Sequence, residues 1–246
     1  MRFALALIPA LMLAGCGGGS GDAGSNSSAP VAQVSSVAAP AGQQWSDVVE
    51  KTPEGGFRMG NPNAPIKLIE YGSRTCSHCA EFSAKATEPL KTKYIASGRV
   101  SWEYRDFLRS GADLSAALVS QCGGPGPFFT LLDQMFAAQP QTLDRLQKLP
   151  ESFYKSLEGL PPSQQATKFA EAAGYLEFVK QRGIPENQAR QCLADEKAQT
   201  ALTAATQDAI SKYSIPGTPT FLINGEVVDN TASWEALEPK LRAAGG

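Results

Sequence analysis

The most constraining feature of this chain is a change of period within twenty-odd residues. The stretch PIKLIEYGS places Ile66, Leu68, Ile69 and Tyr71 in a β-preferring run closed by Gly72 and Ser73, which predicts a buried strand and a turn. Directly after it, SHCAEFSAKATEPLKTKY sets Cys79, Phe82, Ala86 and Leu90 at three- and four-residue spacing, one apolar face of a helix. Pro89 inside that pattern predicts a kink, because its ring removes an amide donor and crowds the preceding turn. From Arg99, RVSWEYRDF puts Val100, Trp102 and Tyr104 on one face of a second strand, completing a right-handed β-α-β unit.

At the strand-to-helix junction sits CSHC, Cys76 and Cys79 with the chain's single histidine, His78, between them. Such a pair can be a structural staple, half of a metal site, or a working dithiol. Zinc would need four ligands, and the spacing lacks a second close pair. A sulfur at a helix N-terminus faces unsatisfied amide protons and the positive end of the helix dipole, both of which favour thiolate. Cys76 is therefore the candidate nucleophile. His78 is expected to add charge or a hydrogen bond to that thiolate, stabilising the reduced form and making the disulfide a stronger oxidant; the alternative is a solvated residue at the helix start.

The N-terminal stretch MRFALALIPALMLAGC has Arg2, an apolar run and small residues, the pattern of an export signal and too short for a stable span. Its ending, Leu13 to Cys16, resembles the lipobox of bacterial lipoproteins, which implies a signal over residues 1–15 and a lipid on Cys16; cleavage nearby with Cys16 incidental is the alternative. Gly17 rather than Asp after it resembles lipoproteins sorted to an outer membrane. Residues 17–44 hold no Lys, Arg or aromatic residue and cannot bury enough surface to offset their ordering entropy. Residues 16–44 thus read as a disordered tether with a reach of roughly 30 Å.

Five cysteines less Cys16 leave an even number in an exported chain, where disulfides are permitted. With Cys76 and Cys79 a close pair, Cys122 and Cys192 remain to bridge each other. The near-neutral charge of −2 and 42% apolar content support an ordinary core and exclude the clustered basic excess of a nucleic-acid binder.

Near the C-terminus, KYSIPGTPTFLINGEVV carries two prolines, a strand from Thr220, the hairpin turn Asn224–Gly225 and a partner strand at 226–228. A proline at a strand's start belongs at an edge or in a special bond such as cis. From chemistry alone, Pro219 stays open between that and an ordinary loop proline.

Together CSHC after a strand, GTPTF before a strand and INGE turning into the next resemble the thioredoxin superfamily, in particular the DsbA-like exported thiol oxidoreductases, over about residues 45–246. The resemblance implies a cis Pro219 lying with Thr218 against the dithiol to align an incoming peptide or disulfide. It also implies that Glu70 matches a buried acid that shuttles protons to Cys79. A lone Glu in the apolar strand LIEY is costly unless paired or functional, although a surface-facing position beside Lys67 is the alternative. The chain departs from the strongest oxidants of the family at Ser77, where they usually carry proline.

The α/β class therefore expected is a thioredoxin fold over 45–108 and 206–246 interrupted by a helical insertion over 109–205, whose helical patterns are punctuated by Pro125, Pro127, Pro161, Pro162, Gly174, Gly183 and Pro185. Phe128, Phe129, Met135 and Phe136 are candidates to line a substrate groove, with core as the alternative. The Cys122–Cys192 bridge inside the insertion reads as structural, the alternative being a second redox pair. The function expected is an exported, lipid-anchored, monomeric thiol:disulfide oxidoreductase of the periplasm with no bound cofactor or metal. It would oxidise unfolded or reduced exported proteins and be reset by a membrane redox partner. A reductase, an isomerase and a non-catalytic binding lipoprotein are the alternatives; isomerases of the superfamily carry an N-terminal dimerisation domain that nothing here resembles.

Overall fold

The computed structural model describes residues 35–246; Cys16, Gly17 and the expected signal lie outside them. A six-stranded sheet runs in the order β1-β2-β4-β3-β5-β6, from β1 (Val49–Lys51), β2 (Phe57–Gly60), β3 (Ile66–Gly72), β4 (Val100–Asp106), β5 (Thr220–Ile223) and β6 (Glu226–Val227). The central β3 pairs in parallel with β4 and antiparallel with β5. Its register sets Ile66 beside Val100, Leu68 beside Trp102 and Glu70 beside Tyr104, so the period of two places all six on one face. The last residue of this strand, Gly72, leaves room for the Tyr104 ring, which a Cβ there would approach to 2.6 Å.

That face is covered by α1 (Ser77–Pro89), α3 (Pro125–Ala137) and α10 (Trp234–Ala243). Aromatic rings lock it: Phe82 meets Phe221 at 4.5 Å, Trp102 meets Phe129 at 4.8 Å, and Phe57 stacks on Phe128 at 3.9 Å between centroids. After Pro89 the chain does not leave the helix. Leu90–Ile95 continues as a π-helical turn, which absorbs the donor missing at proline by widening the ladder.

The expected end of the insertion at residue 205 falls inside a helix. Alongside α2 (Gly111–Gln121), the segments α4 (Gln139–Gln147), α5 (Glu151–Lys155), α6 (Pro162–Ala173), α7 (Tyr175–Lys180) and α8 (Glu186–Leu193) are helical, and α2, α6, α7 and α8 supply most of an alanine-rich core. Then α9 (Glu196–Tyr213) runs unbroken through position 205, with Leu202 in the helical core and Ala209 against Tyr71 and Leu222 on the sheet's second face. No linker separates the two parts. Phe128, Phe129 and Phe136 belong to the sheet's core and Met135 to the helical one, all at most 5% exposed; Met135 also reaches the wall of a small pocket beside Ala138, Thr142 and Tyr175. Asp195, accepting from Lys197 and Ala198 N–H at 3.0 Å, caps α9 and splits the helical pattern of residues 185–213 in two.

Two further differences lie at the N-terminal side. Strands β1 and β2 form an antiparallel hairpin added to β4, whose short alternation carries no strong strand signal. The end of the expected tether is held: Val37 N–H donates to the Ser97 carbonyl at 2.9 Å and Trp45 Nε1 to the Val37 carbonyl at 2.7 Å. The C-terminal hairpin turns on Asn224 and Gly225, both at positive φ, and the Asn224 side-chain oxygen accepts from Lys67 N–H at 2.8 Å, tying the turn to β3. Among the described residues no helix is long and apolar enough to cross a membrane.

Candidate active site

Cys76 is the N-cap of α1, with extended φ and ψ of −91° and 116°, so its sulfur sits beside the free amides of the first turn. Cys76 and Cys79 are free thiols, 4% and 0% exposed. In the thiol form Cys76 Sγ donates to the Thr218 carbonyl at 3.1 Å, and the Thr218–Pro219 bond is cis. The Thr218 hydroxyl is buried and has no partner other than the Cys76 sulfur it can face as a donor. The chain thus brings residues 142 positions apart into contact at one sulfur.

The two thiols differ in proton affinity. The Cys79 thiol, donating to Cys76, pulls the Cys76 pKa down to about 5 against the opposing effect of burial, helped by the Thr218 hydroxyl, the Cys79 amide and the Arg109 charge. Cys79 is pushed the other way by burial first, then by its bond to Cys76 and by the Glu70 charge. Glu70 is 1% exposed, and burial lifts its pKa to about 8 although Trp102 Nε1 donates to its Oε2 at 3.2 Å and Arg74 lies near. A thiolate-prone sulfur, a proton-retaining sulfur and a carboxyl that is protonated at neutral pH therefore share one site.

His78 is placed elsewhere. Its side chain is 69% exposed and its Nδ1 lies 3.4 Å from Glu81 Oε2. Position 78 shares the outer face of α1 with Glu81, whereas Cys79, Phe82, Ser83 and Ala86 form the buried face, since neighbours two apart on a helix point in different directions. The expected bond from His78 to the Cys76 thiolate is thus corrected.

Three residues not singled out in the sequence hold the loop ahead of the dithiol. Asp113, in the first turn of α2, accepts from Ser73 Oγ at 2.8 Å, Thr75 N–H at 3.0 Å and Thr75 Oγ1 at 3.1 Å. Gln139 Nε2 donates to the carbonyls of Arg74 and Cys76 at 2.9 Å each. Arg74, 2% exposed, faces Asp106 at 3.1 Å, donates to Ser120 Oγ at 3.1 Å and lies over the Tyr104 ring. Only Asp113 left a trace in the sequence, a Ser110-x-x-Asp113 helix start of capping-box type; its contact with residues 73–75 has no local signal.

Cys122 and Cys192 are joined by a disulfide with Cα atoms 5.9 Å apart, connecting the end of α2 to α8. A cleft of about 620 Å³ opens between α9, Tyr71, Arg105 and the β1–β2 hairpin, and none of Cys76, Cys79, Thr218 and Pro219 lines it. Among the described residues no cluster of three His, Cys, Asp or Glu side chains is arranged to hold a metal ion.

A strand, a dithiol capping a helix and a cis proline beside it define a thioredoxin-type site. The sequence profile of a family described as Thioredoxin matches residues 52–242. The structure of a protein-disulfide isomerase from Novosphingobium aromaticivorans is 30% identical, covers 76% of this chain and 95% of its own, and superposes with a TM-score of 0.73. The fold is also that of Wolbachia pipientis alpha-DsbA1, 23% identical over 74% of this chain and 80% of that one, with a TM-score of 0.56. A Rickettsia conorii protein carrying the provisional name protein-disulfide oxidoreductase is 26% identical over 86% of this chain and 74% of its own length. The chain belongs to the thioredoxin family.

Proposed function

We propose that this chain is a protein thiol:disulfide oxidoreductase that introduces disulfides into extracytoplasmic proteins through Cys76 and Cys79. The observation that carries this reading is the unequal placement of the two sulfurs, Cys76 capping α1 against the Thr218 carbonyl and Cys79 fully buried behind it, which draws Cys76 down to about 5 and keeps Cys79 in its protonated form. Membership of the thioredoxin family and likeness to protein-disulfide enzymes support it.

The chemistry follows from that asymmetry. A client thiolate attacks Cys76 Sγ of the oxidised pair, the Cys76–Cys79 bond breaks, and Cys79 leaves with the bonding electrons. Because Cys79 holds its proton strongly, the leaving sulfur takes one from Glu70, which is protonated at neutral pH. A second client thiolate then attacks the client sulfur of the mixed disulfide and expels Cys76 as a stabilised thiolate. The client is oxidised by two electrons and the dithiol reduced. A membrane redox partner that accepts those electrons resets the cycle. Thr218 and Pro219, against Cys76, align the incoming chain. The Cys122–Cys192 bridge has a structural role.

The signal-like residues 1–15 and the lipobox-like Cys16 support export to the periplasm and a lipid anchor, with Gly17 favouring the outer membrane. The deciding measurement is the reduction potential of Cys76–Cys79 in glutathione buffers. A value near about −120 mV is expected for an oxidant, and one near about −270 mV would turn the reading to a reductase.

A further inference from the structure

We propose that Gln139 is a positioning residue of the dithiol, holding from the helical part of the chain the two carbonyls that bracket Thr75 and so setting how Cys76 presents its sulfur. This rests on the reading of Cys76–Cys79 as a redox pair.

Gln139 opens α4 and is 3% exposed. Burying an amide there is unfavourable unless its donors are used. Both Nε2 protons are used on the same short loop, one on the Arg74 carbonyl and one on the Cys76 carbonyl, each at 2.9 Å. The residue between them is held from the other side, where Asp113 takes Thr75 N–H at 3.0 Å. The Cys76 carbonyl also accepts the first bond of α1, from Ala80 N–H at 3.2 Å, so the Gln139 proton reaches an oxygen already committed to the helix start.

Two effects on the sulfur follow. A donor on the Cys76 carbonyl offsets its negative partial charge within the nucleophilic residue itself, which favours thiolate. Fixing that carbonyl also fixes the N-cap geometry that turns the sulfur toward the first-turn amides. A residue serving packing alone would need neither donor.

The test compares the unaltered full chain with Gln139→Met, which keeps length and shape without a donor, and with Gln139→Glu, which replaces the donor by an acceptor. The charged group acting on Cys76, Arg109, and the Glu70 charge acting on Cys79 are unchanged in both. In Gln139→Met the thiolate midpoint should rise by about one pH unit, making alkylation at pH 4 about tenfold slower. The same tenfold change in the redox equilibrium lowers the potential by about 30 mV. Gln139→Glu should move both readouts further in the same direction. Unshifted midpoint and potential in a folded variant would overturn the inference. In the unaltered protein the Gln139 side-chain amide resonances should shift with the Cys76 midpoint, a readout that needs no variant to fold; resonances indifferent to that titration would also overturn it. If instead the unaltered protein shows no acidic thiol, the functional reading itself fails, which is a separate outcome.

Discussion

The molecule contains two cysteine pairs that differ in almost every physical respect. Cys76 and Cys79 are separated by two residues, free, and set at a helix N-terminus beside a cis proline. Cys122 and Cys192 are 70 positions apart, bonded, and join two helices around an alanine-rich core. The close pair closes a loop too short to restrain the unfolded chain much, whereas the distant pair removes many unfolded conformations. The surroundings differ as well: the first pair is flanked by donors and a buried carboxyl that divide its proton affinities. Cys122 and Cys192 are instead bonded to each other, so neither sulfur carries a proton to divide. Position in the fold, rather than the presence of two sulfurs, gives the two pairs their different surroundings.

The comparison breaks most directly by removing one pair at a time. Cys76→Ser should reduce oxidation of a reduced client protein to the uncatalysed rate, while Cys79→Ser should trap a client mixed disulfide visible on non-reducing gels. The double variant Cys122→Ala, Cys192→Ala should keep oxidase turnover within about twofold and lose up to about 4 kcal/mol of stability in urea unfolding. Lost turnover with unchanged stability in the double variant would reverse the assignment of the two pairs.

What could be read from the sequence follows the same division between local and distant causes. The strand, turn and helix around Cys76 and the Asn224–Gly225 hairpin were legible because their periods and turn residues lie within a few positions. Glu70 was legible as a polar residue inside an apolar strand. Asp113 and Gln139 were not, since they act 38 to 65 positions away on the dithiol loop. That the expected end of the insertion falls inside α9 has a related reason. Both halves of α9 are helical, and only the packing of Leu202 and Ala209 shows that one helix serves two cores.

The difference within the first pair is open to pH. Alkylation of reduced protein should follow a midpoint near pH 5, well below an ordinary thiol near 8.5. Because the folded pKa is depressed, Cys76 contributes stability to the reduced state that is fully present above the unfolded pKa and is lost as pH falls toward 5. Glu70 acts with the opposite sign. Its pKa is raised to about 8, so the fold holds a proton that the unfolded chain releases, and stability declines as pH rises from about 4.3 to 8. Glu70→Gln should therefore stabilise by about 1–3 kcal/mol at pH 7 and flatten that slope in unfolding measurements. It should also slow release of Cys79 by about 10–100-fold, as expected for loss of a proton donor. Unchanged single-turnover rates in this variant would remove Glu70 from the proton path.

The smallest effect belongs to a residue that lies between the two sulfurs in sequence. His78 is exposed and faces Glu81, and the largest influences lowering the Cys76 pKa come from Cys79, Thr218 and Arg109. A charge on the solvent side is also screened by water and salt. His78→Ala should therefore move the alkylation midpoint by less than about 0.3 units, a small fraction of the roughly one-unit scale on which a nearby charge acts. Thr218→Val, which removes a hydroxyl that is buried without another partner, should raise the midpoint more. Ranking these two variants by alkylation rate at pH 4 sharpens the comparison within the turn. If His78→Ala shifts the midpoint more than Thr218→Val does, the imidazole reaches the thiolate in solution and the outward pairing with Glu81 does not describe the reduced enzyme.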